Sequence, residues 1–342
     1  MRALALAAAL VAGASCGFPR PARLADGGSD VGDAPGDGVG SGPHCAGLAS
    51  TCGPNSRNCC ASGMVPGGTF YRGYDVGSDG AFPDMTHPAT LSTFVLDNYL
   101  VTVGRFRQFV TAGMGTQADP PSPGTGAHTK IASSGWEVSW NTSLPLDTAA
   151  LVADAKCDQL KQAWTDAPGG NETLPMNCVN WYDAMAFCIW DGGYLPTEAE
   201  LNYAAVGGSE QRAFPWSMPA SSLTIDCSYA NYSPSPTSVY CTENAAMTSP
   251  ILDPVGHDSP NGDGRWGQSD LAGQGFEWTL DYYSATYITP CTDCANLTVA
   301  AHRADRGGGY EDPQNHLRGG DRVSDDPLLP NPDVVFRCAR AQ

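Results

Sequence analysis

Thirteen cysteines in a chain of 342 residues constrain its folding more than any other feature. So many thiols are hazardous if left free, and they point to an oxidising compartment in which the chain is cross-linked by disulfides. The N-terminus agrees. Residues 1–15 carry one basic side chain, Arg2, followed by an apolar run from Ala3 to Ala12, the pattern of a secretory signal peptide too short to span a bilayer. The chain is therefore expected to be exported.

Two cleavage sites compete. Ala12-Gly13-Ala14 offers a small-x-small site, whereas Gly13-Ala14-Ser15-Cys16 resembles the lipobox of bacterial lipoproteins, with Gly13 where Leu is usual. Lipidation of Cys16 is the preferred reading, because it leaves an even twelve cysteines and because a tether follows. From residue 16 to 44, Gly, Pro and Asp dominate, as in Asp26-Gly27-Gly28-Ser29-Asp30, and such a segment has no apolar surface with which to form a core. Later apolar runs are too short to cross a membrane, so association with one is expected through the lipid alone. The expected location is the outer membrane or cell surface, otherwise the periplasm or medium. Cys45, Cys52, Cys59 and Cys60 then crowd a neck over residues 45–62. They lack the paired Cys-x-x-Cys of a zinc ribbon and have no His at ligand spacing, so a small disulfide knot is expected.

Residues 63–342 have a globular composition. Forty Gly, 27 Pro and only 16% charged residues exclude coiled coils and long helical bundles and predict a loop-rich fold. The formal charge of −18 repels phosphate backbones and anionic lipids, so nucleic acid is excluded as a partner. Pro66-Gly67-Gly68 predicts a turn into a strand at Thr69-Phe70-Tyr71, and Leu91 to Leu96 reads as a second strand. Thr102 predicts a helix cap, with Val103, Phe106 and Val110 on one face and Gly113 as the stop. Asn180 with Asp183, and Thr197 with Glu200, predict two further capped helices, ending at Gly192-Gly193 and Gly207-Gly208.

The remaining cysteines read as staples. Cys157 with Cys178, and Cys227 with Cys241, bracket loops whose closure stabilises by roughly 3 kcal/mol each on a chain-entropy account. Cys291-Thr292-Asp293-Cys294 has redox spacing but no strand-to-helix context to lower a thiol pKa, so a tight structural bridge is expected. Cys188 and Cys338 either pair or stay as buried thiols. His44, His87, His128, His257, His302 and His316 stand singly, with no i, i+4 pair to build zinc or iron chemistry on one helix. Arg306, Arg318, Arg322 and Arg337 either line an anion pocket or, the preferred reading in so acidic a chain, form structural ion pairs.

Six motifs then occur in order: Pro66-Gly67-Gly68-Thr69-Phe70, Leu195-Pro196-Thr197-Glu198-Ala199-Glu200, Phe214-Pro215-Trp216, Asp270-Leu271-Ala272-Gly273 through Glu277-Trp278-Thr279, Arg306-Gly307-Gly308, and Phe336-Arg337-Cys338-Ala339. Together they resemble the formylglycine-generating enzyme family, or sulfatase-modifying factors. The resemblance implies an α/β, C-type-lectin-like fold of sparse secondary structure. It also implies copper chemistry at two cysteines shortly after the Arg-Gly-Gly-Ser-aromatic motif. In this chain the motif's Ser is Gly309, and the cysteine positions fall on Asp312 and Leu317. Cu(I) is soft and needs thiolates, so copper is not expected, no catalytic residue is carried over, and Asp312 is taken as a solvated loop carboxylate. The family's calcium loop maps better. Asp270, Gly273, Gly275 and Glu277 stand at its positions, and Asn231 matches part of a second site; such oxygens suit calcium. The resulting expectation is a calcium-stabilised binding or scaffold module for a peptide, glycan or envelope ligand. The alternative is a formylglycine-generating oxidase, or a related oxidoreductase, with an altered active site.

Overall fold

The structure is a computed structural model and describes residues 44, 45, 48, 52–54, 56–234, 240–242 and 252–342. The signal peptide, Cys16 and the tether as far as residue 43 lie outside the described residues.

Among the described residues, ten short strands, four α-helices and two short 3-10 helices are threaded through long loops. The strands are β1 Ser62–Val65, β2 Gly68–Tyr71, β3 Pro88–Leu91, β4 Phe94–Asp97, β5 Phe276–Tyr282, β6 Cys291–Thr292, β7 Arg303–Arg306, β8 Val323–Asp325, β9 Val334–Val335 and β10 Ala339–Ala341. The helices are α1 Val103–Thr111, α2 Thr148–Asp154, α3 Trp181–Trp190 and α4 Glu198–Ala205. Three sheets result, ordered β1-β4-β10, β2-β3-β6 and β8-β7-β5-β9. In the last, β5 is buried along its whole length, antiparallel to β7 on one side and parallel to β9 on the other.

Helix starts follow their side-chain caps. Thr102 Oγ1 accepts from the Arg105 N–H at 3.3 Å, which opens α1. Reciprocal capping boxes open the next two long helices. Asn180 Oδ1 accepts from Asp183 N at 2.9 Å while Asp183 accepts back, and Thr197 Oγ1 accepts from Glu200 N at 3.0 Å while Glu200 Oε2 accepts from Thr197 N at 2.8 Å. Gly207 and Gly208 then take φ of 66° and 65°, a left-handed turn that L side chains resist, and α4 ends. Helix α2, opened by Asp147, is not among the helices expected from the sequence.

One expected strand is corrected. Leu91 to Leu96 is not continuous, because the chain leaves one sheet at Leu91 and enters another at Phe94. The break is fixed from a distance: the Ser92 N–H and hydroxyl donate to the two Asp293 oxygens at 2.6 and 2.7 Å.

The main core joins α1 and α3 to β5, with Phe106 stacked on Phe187 at 5.8 Å and Trp181 and Trp278 fully buried. A buried charge cluster pins β4 to the chain end. Arg105 donates to Asp97 at 2.9 Å and to Asp191 at 2.8 Å, and Arg340 bridges the same two carboxylates. Burial works to raise the Asp97 carboxyl, but Arg105, Arg340 and the Ser62 hydroxyl bring it down to about 2.

All twelve cysteines among the described residues are bonded: Cys45–Cys60, Cys52–Cys59, Cys157–Cys178, Cys188–Cys338, Cys227–Cys241 and Cys291–Cys294. Cys188 and Cys338, left open from the sequence, join α3 to the segment before β10. The neck packs onto the domain, with Cys52 and Cys59 in one apolar cluster with Tyr99, Leu100 and Val335. Among the described residues no helix is long and apolar enough to cross a membrane.

Candidate functional site

Strand β7 delivers Arg306 into the core, and the chain then turns through Gly307 and Gly308, both at positive φ, into the loop that carries Asp312 and Leu317. Arg306 is fixed first. Its Nε donates to Glu198 at 2.6 Å and its Nη2 to the Tyr287 hydroxyl at 2.9 Å. Beyond it, Gly309 N donates to Asp312 Oδ2 at 3.0 Å, and Asp312 N donates back to the Gly309 carbonyl at 3.1 Å, a tight local turn.

Asp312 is not the solvated loop carboxylate expected from the sequence. It is half-buried and meets the side chain of Asp333, the residue that leads into β9. Burial, then the charges of Asp312 and Glu311, push the Asp333 carboxyl up to about 9, so Asp333 keeps its proton and donates it to Asp312. Burial raises Asp312 as well. The two acids thus face each other across a hydrogen bond. Gly309 makes this possible, because a β-carbon there would collide with the Asp333 carboxylate. A buried phenol, Tyr310, lies beside the pair with no partner for its hydroxyl, and Asp333 is the strongest of the charges that act on it.

Leu317 goes elsewhere. It is buried among Ala213, Phe214, Tyr232 and Ala272, where an apolar side chain gains most from leaving water. The two positions that resemble the copper cysteines therefore present a protonated acid pair and a hydrocarbon. With every cysteine of the described residues in a disulfide, no thiolate from them stands in for the missing ligands. The donors present do not fit Cu(I).

Of the calcium-loop positions, Gly273 lies against Asn231, while the Asp270 and Glu277 carboxylates meet separate partners, Gly256 N and Arg337, and Arg337 also donates to the Asp270 carbonyl at 2.9 Å. Asp270 sits at φ 57° and accepts from Gly256 N at 2.7 Å through Oδ2. Gly273, at φ 87°, lies against Asn231, whose carbonyl accepts from Gln274 N at 2.9 Å and whose amide donates to Gln274 Oε1 at 3.3 Å. Asn231 thus belongs beside this same loop. The Gly273 carbonyl accepts from Gly275 N, closing the turn. Glu277, on β5, accepts from Arg337 Nε at 2.6 Å through one oxygen, while its other oxygen, Oε1, is buried without a donor. Burial pushes Asp270 up to about 7 and raises Glu277 too, Arg337 opposing it. Among the described residues no group of three or more His, Cys, Asp or Glu converges for a metal, so any cation here rests on loop carbonyls and two carboxylates. The donors here are all oxygens, with Glu277 Oε1 unpartnered, and the Arg337 guanidinium stands between Glu277 and the Asp270 carbonyl.

Three of the four arginines singled out from the sequence are structural pairs. Arg306 meets Glu198, Arg337 meets Glu277, and Arg318 meets Asp75 and, at 2.8 Å, Asp79. Arg322 is different, with a main-chain acceptor, Ser284 O, and no carboxylate bonded to it among the described residues. Two of the histidines meet carboxylates, His128 with Glu200 at 3.3 Å and His316 with Asp321 at 2.9 Å.

Residues 49–342 match the sulfatase-modifying factor enzyme 1-like domain. The chain is 31% identical to the formylglycine-generating enzyme of Streptomyces coelicolor, over 85% of this chain and 93% of that one. It is 30% identical to the formylglycine-generating enzyme of Thermomonospora curvata, over 82% and 93%. It is also 28% identical to the inactive Cα-formylglycine-generating enzyme 2 of Bos taurus, over 65% and 71%. Among solved structures, PvdO from Pseudomonas aeruginosa matches with a TM-score of 0.55 at 20% identity, over 82% of this chain and 94% of that one, which places the fold. With its loop-rich, C-type-lectin-like architecture, the chain belongs to the sulfatase-modifying factor, or formylglycine-generating enzyme, family.

Proposed function

We propose that the protein is an exported lipoprotein whose family domain serves as a binding module and does not make formylglycine. The observation that carries this reading is the fate of the two ligand positions. Asp312 is engaged by a protonated Asp333, and Leu317 is buried in an apolar cluster. Cu(I) chemistry needs two soft, deprotonated sulfurs on one side of a groove, and this arrangement offers a hard oxygen already hydrogen-bonded and a side chain with no donor atom. Six disulfides among the described residues support export, and they supply the rigidity that long loops lack. A relative named inactive Cα-formylglycine-generating enzyme 2 supports this reading.

In this reading calcium stabilises the loop that leads into β5. Asp270, Glu277 and the carbonyls of Gly273 and Gly275 would hold it, with Asn231 beside them, and the ion would supply Glu277 Oε1 with the partner it lacks. Its role is structural. Incubation with a sulfatase-type peptide tests the catalytic half of the proposal, and a calcium titration of thermal stability tests the other.

A further inference from the structure

A cavity of about 250 Å³ opens where the β2–β3 loop meets the loops that follow β5 and precede β8, and neither Asp312 nor any calcium-loop residue lines it. Its wall includes Arg72, Arg322, Tyr287 and His87, with Asp84 and Asp321. The two arginines flank one aromatic ring. The Arg72 guanidinium lies 4.7 Å from the Tyr287 centroid and that of Arg322 lies 3.8 Å from it, while His87 packs on the same ring at 4.9 Å. Tyr287 is itself held by Arg306. The platform is therefore fixed by packing before any ligand arrives.

Neither arginine meets a carboxylate among the described residues. Arg72, only 2% exposed, gives one N–H to Ile288 O at 2.5 Å and a weak one to Cys294 Sγ at 3.6 Å, and its Nε is buried with no acceptor. Arg322 gives one N–H to Ser284 O at 2.6 Å. A guanidinium has five N–H groups, so most of the donors at this wall are unused. The acids nearby have closer partners: Glu198, whose charge also acts on both arginines, is bonded to Arg306, Asp281 to Glu198 N and Asn296 N, Asp321 to His316, and Asp84, half-exposed at the rim, to His87 at 3.3 Å. In a protein with twice as many acidic as basic side chains, 36 against 18, two adjacent arginines left without carboxylates call for an acceptor from outside. Burial lowers the Arg72 pKa, with Glu198 the strongest opposing charge, which agrees with an incompletely compensated cation.

We propose that this cavity is a recognition site for a carboxylate monoanion, bound between Arg72 and Arg322 over the edge of Tyr287. Two guanidiniums at one wall match the paired oxygens of a carboxylate. Asp84 and Asp321 in the same wall disfavour dianions, so phosphate and sulfate should bind less well. The cavity admits a single acid-bearing unit, such as a uronic acid residue or a peptide terminus, and excludes a bulky ligand. This inference rests on the reading of the domain as a binding module and gives that module a ligand class. It uses none of the residues at Asp312 or Leu317, so the peptide assay and the experiment below fail independently.

The test is calorimetric or NMR titration of the full mature protein with glucuronate, acetate, glucuronate methyl ester, phosphate and sulfate at constant ionic strength. Saturable binding of glucuronate and acetate is expected, with the ester silent and the two inorganic anions weaker. Equal affinity for the two carboxylates means that the acid group alone is read; tighter glucuronate means that the sugar contributes. Arg322→Gln, which breaks no ion pair, should weaken binding about tenfold or more. Asp84→Asn, at the exposed rim, should tighten it, and this variant keeps the test informative if the arginine variant folds poorly. Absence of saturable carboxylate binding, an ester that binds as well as the acid, or affinity unchanged in Arg322→Gln would each overturn the proposal.

Discussion

Asp333 occupies the space that any side chain at residue 309 would need. Where the family motif carries Ser, this chain has Gly309, and the protonated carboxyl of Asp333 fills the gap and reaches Asp312. The three residues form one unit. The loss of a side chain at 309 and the loss of the thiolate at 312 are linked by a contact from a distant part of the chain.

Gly309→Ser is therefore expected to destabilise the fold by about 1–3 kcal/mol through overpacking. Gly309 does not have a positive φ, so the effect is steric and not one of backbone strain. Asp333→Ala should recover most of the loss when combined with it, although harmless or damaging on its own. A double-mutant cycle in urea checks this: a Gly309→Ser cost that is the same with and without Asp333 would refute the linkage.

Asp333 also predicts a pH dependence. Its folded pKa is raised from 3.8 to about 9, so between those values the native state holds a proton that the unfolded chain releases. Stability from this group is complete below about pH 4 and falls as the pH rises towards 9. Asp333→Asn keeps the donor and removes the titration. Its melting temperature should decline less than that of the unmodified protein between pH 5 and 9, and parallel profiles would contradict the assignment.

Cys188–Cys338 closes a loop of 150 residues, the longest of the six. On the chain-entropy account such a bridge stabilises by roughly 5 kcal/mol. Replacing both cysteines by Ala should lower the melting temperature far more than opening Cys291–Cys294, whose partners are three residues apart. Scanning calorimetry of the two variants decides it, and equal losses would show that local packing and not loop closure sets the effect.

Calcium should raise the melting temperature of metal-free protein in a saturable way, by about 2.7 kcal/mol of stability at a hundredfold excess over Kd. Asp270→Asn, which retains an acceptor for Gly256 N, should blunt that gain more than it destabilises the apoprotein. A melting temperature indifferent to both chelator and calcium would return Asp270 and Glu277 to a purely structural role.

The parts of the fold legible in the sequence are those set by neighbouring residues. Thr102, Asn180 and Thr197 cap helices through groups three positions away, so their boxes can be read directly. The break at Ser92 was not readable, because it depends on Asp293, brought close only by the tertiary structure. The same holds at the site. The missing thiolates are visible in the sequence, yet Asp312 reads there as an ordinary loop carboxylate, because Asp333 comes beside it only through the fold. Nothing in the residues next to Arg322 distinguishes it from the three arginines that find carboxylates; its partners are the Ser284 carbonyl and the Tyr287 ring.

The most direct test of the central claim is mass spectrometry of a sulfatase-type cysteine peptide after incubation with the protein, copper and oxygen. The account predicts that the thiol survives to the extent seen with copper alone. Conversion of the cysteine to the aldehyde, at turnover above that control, would contradict it and make the protein an oxidase whose ligands lie outside Asp312 and Leu317.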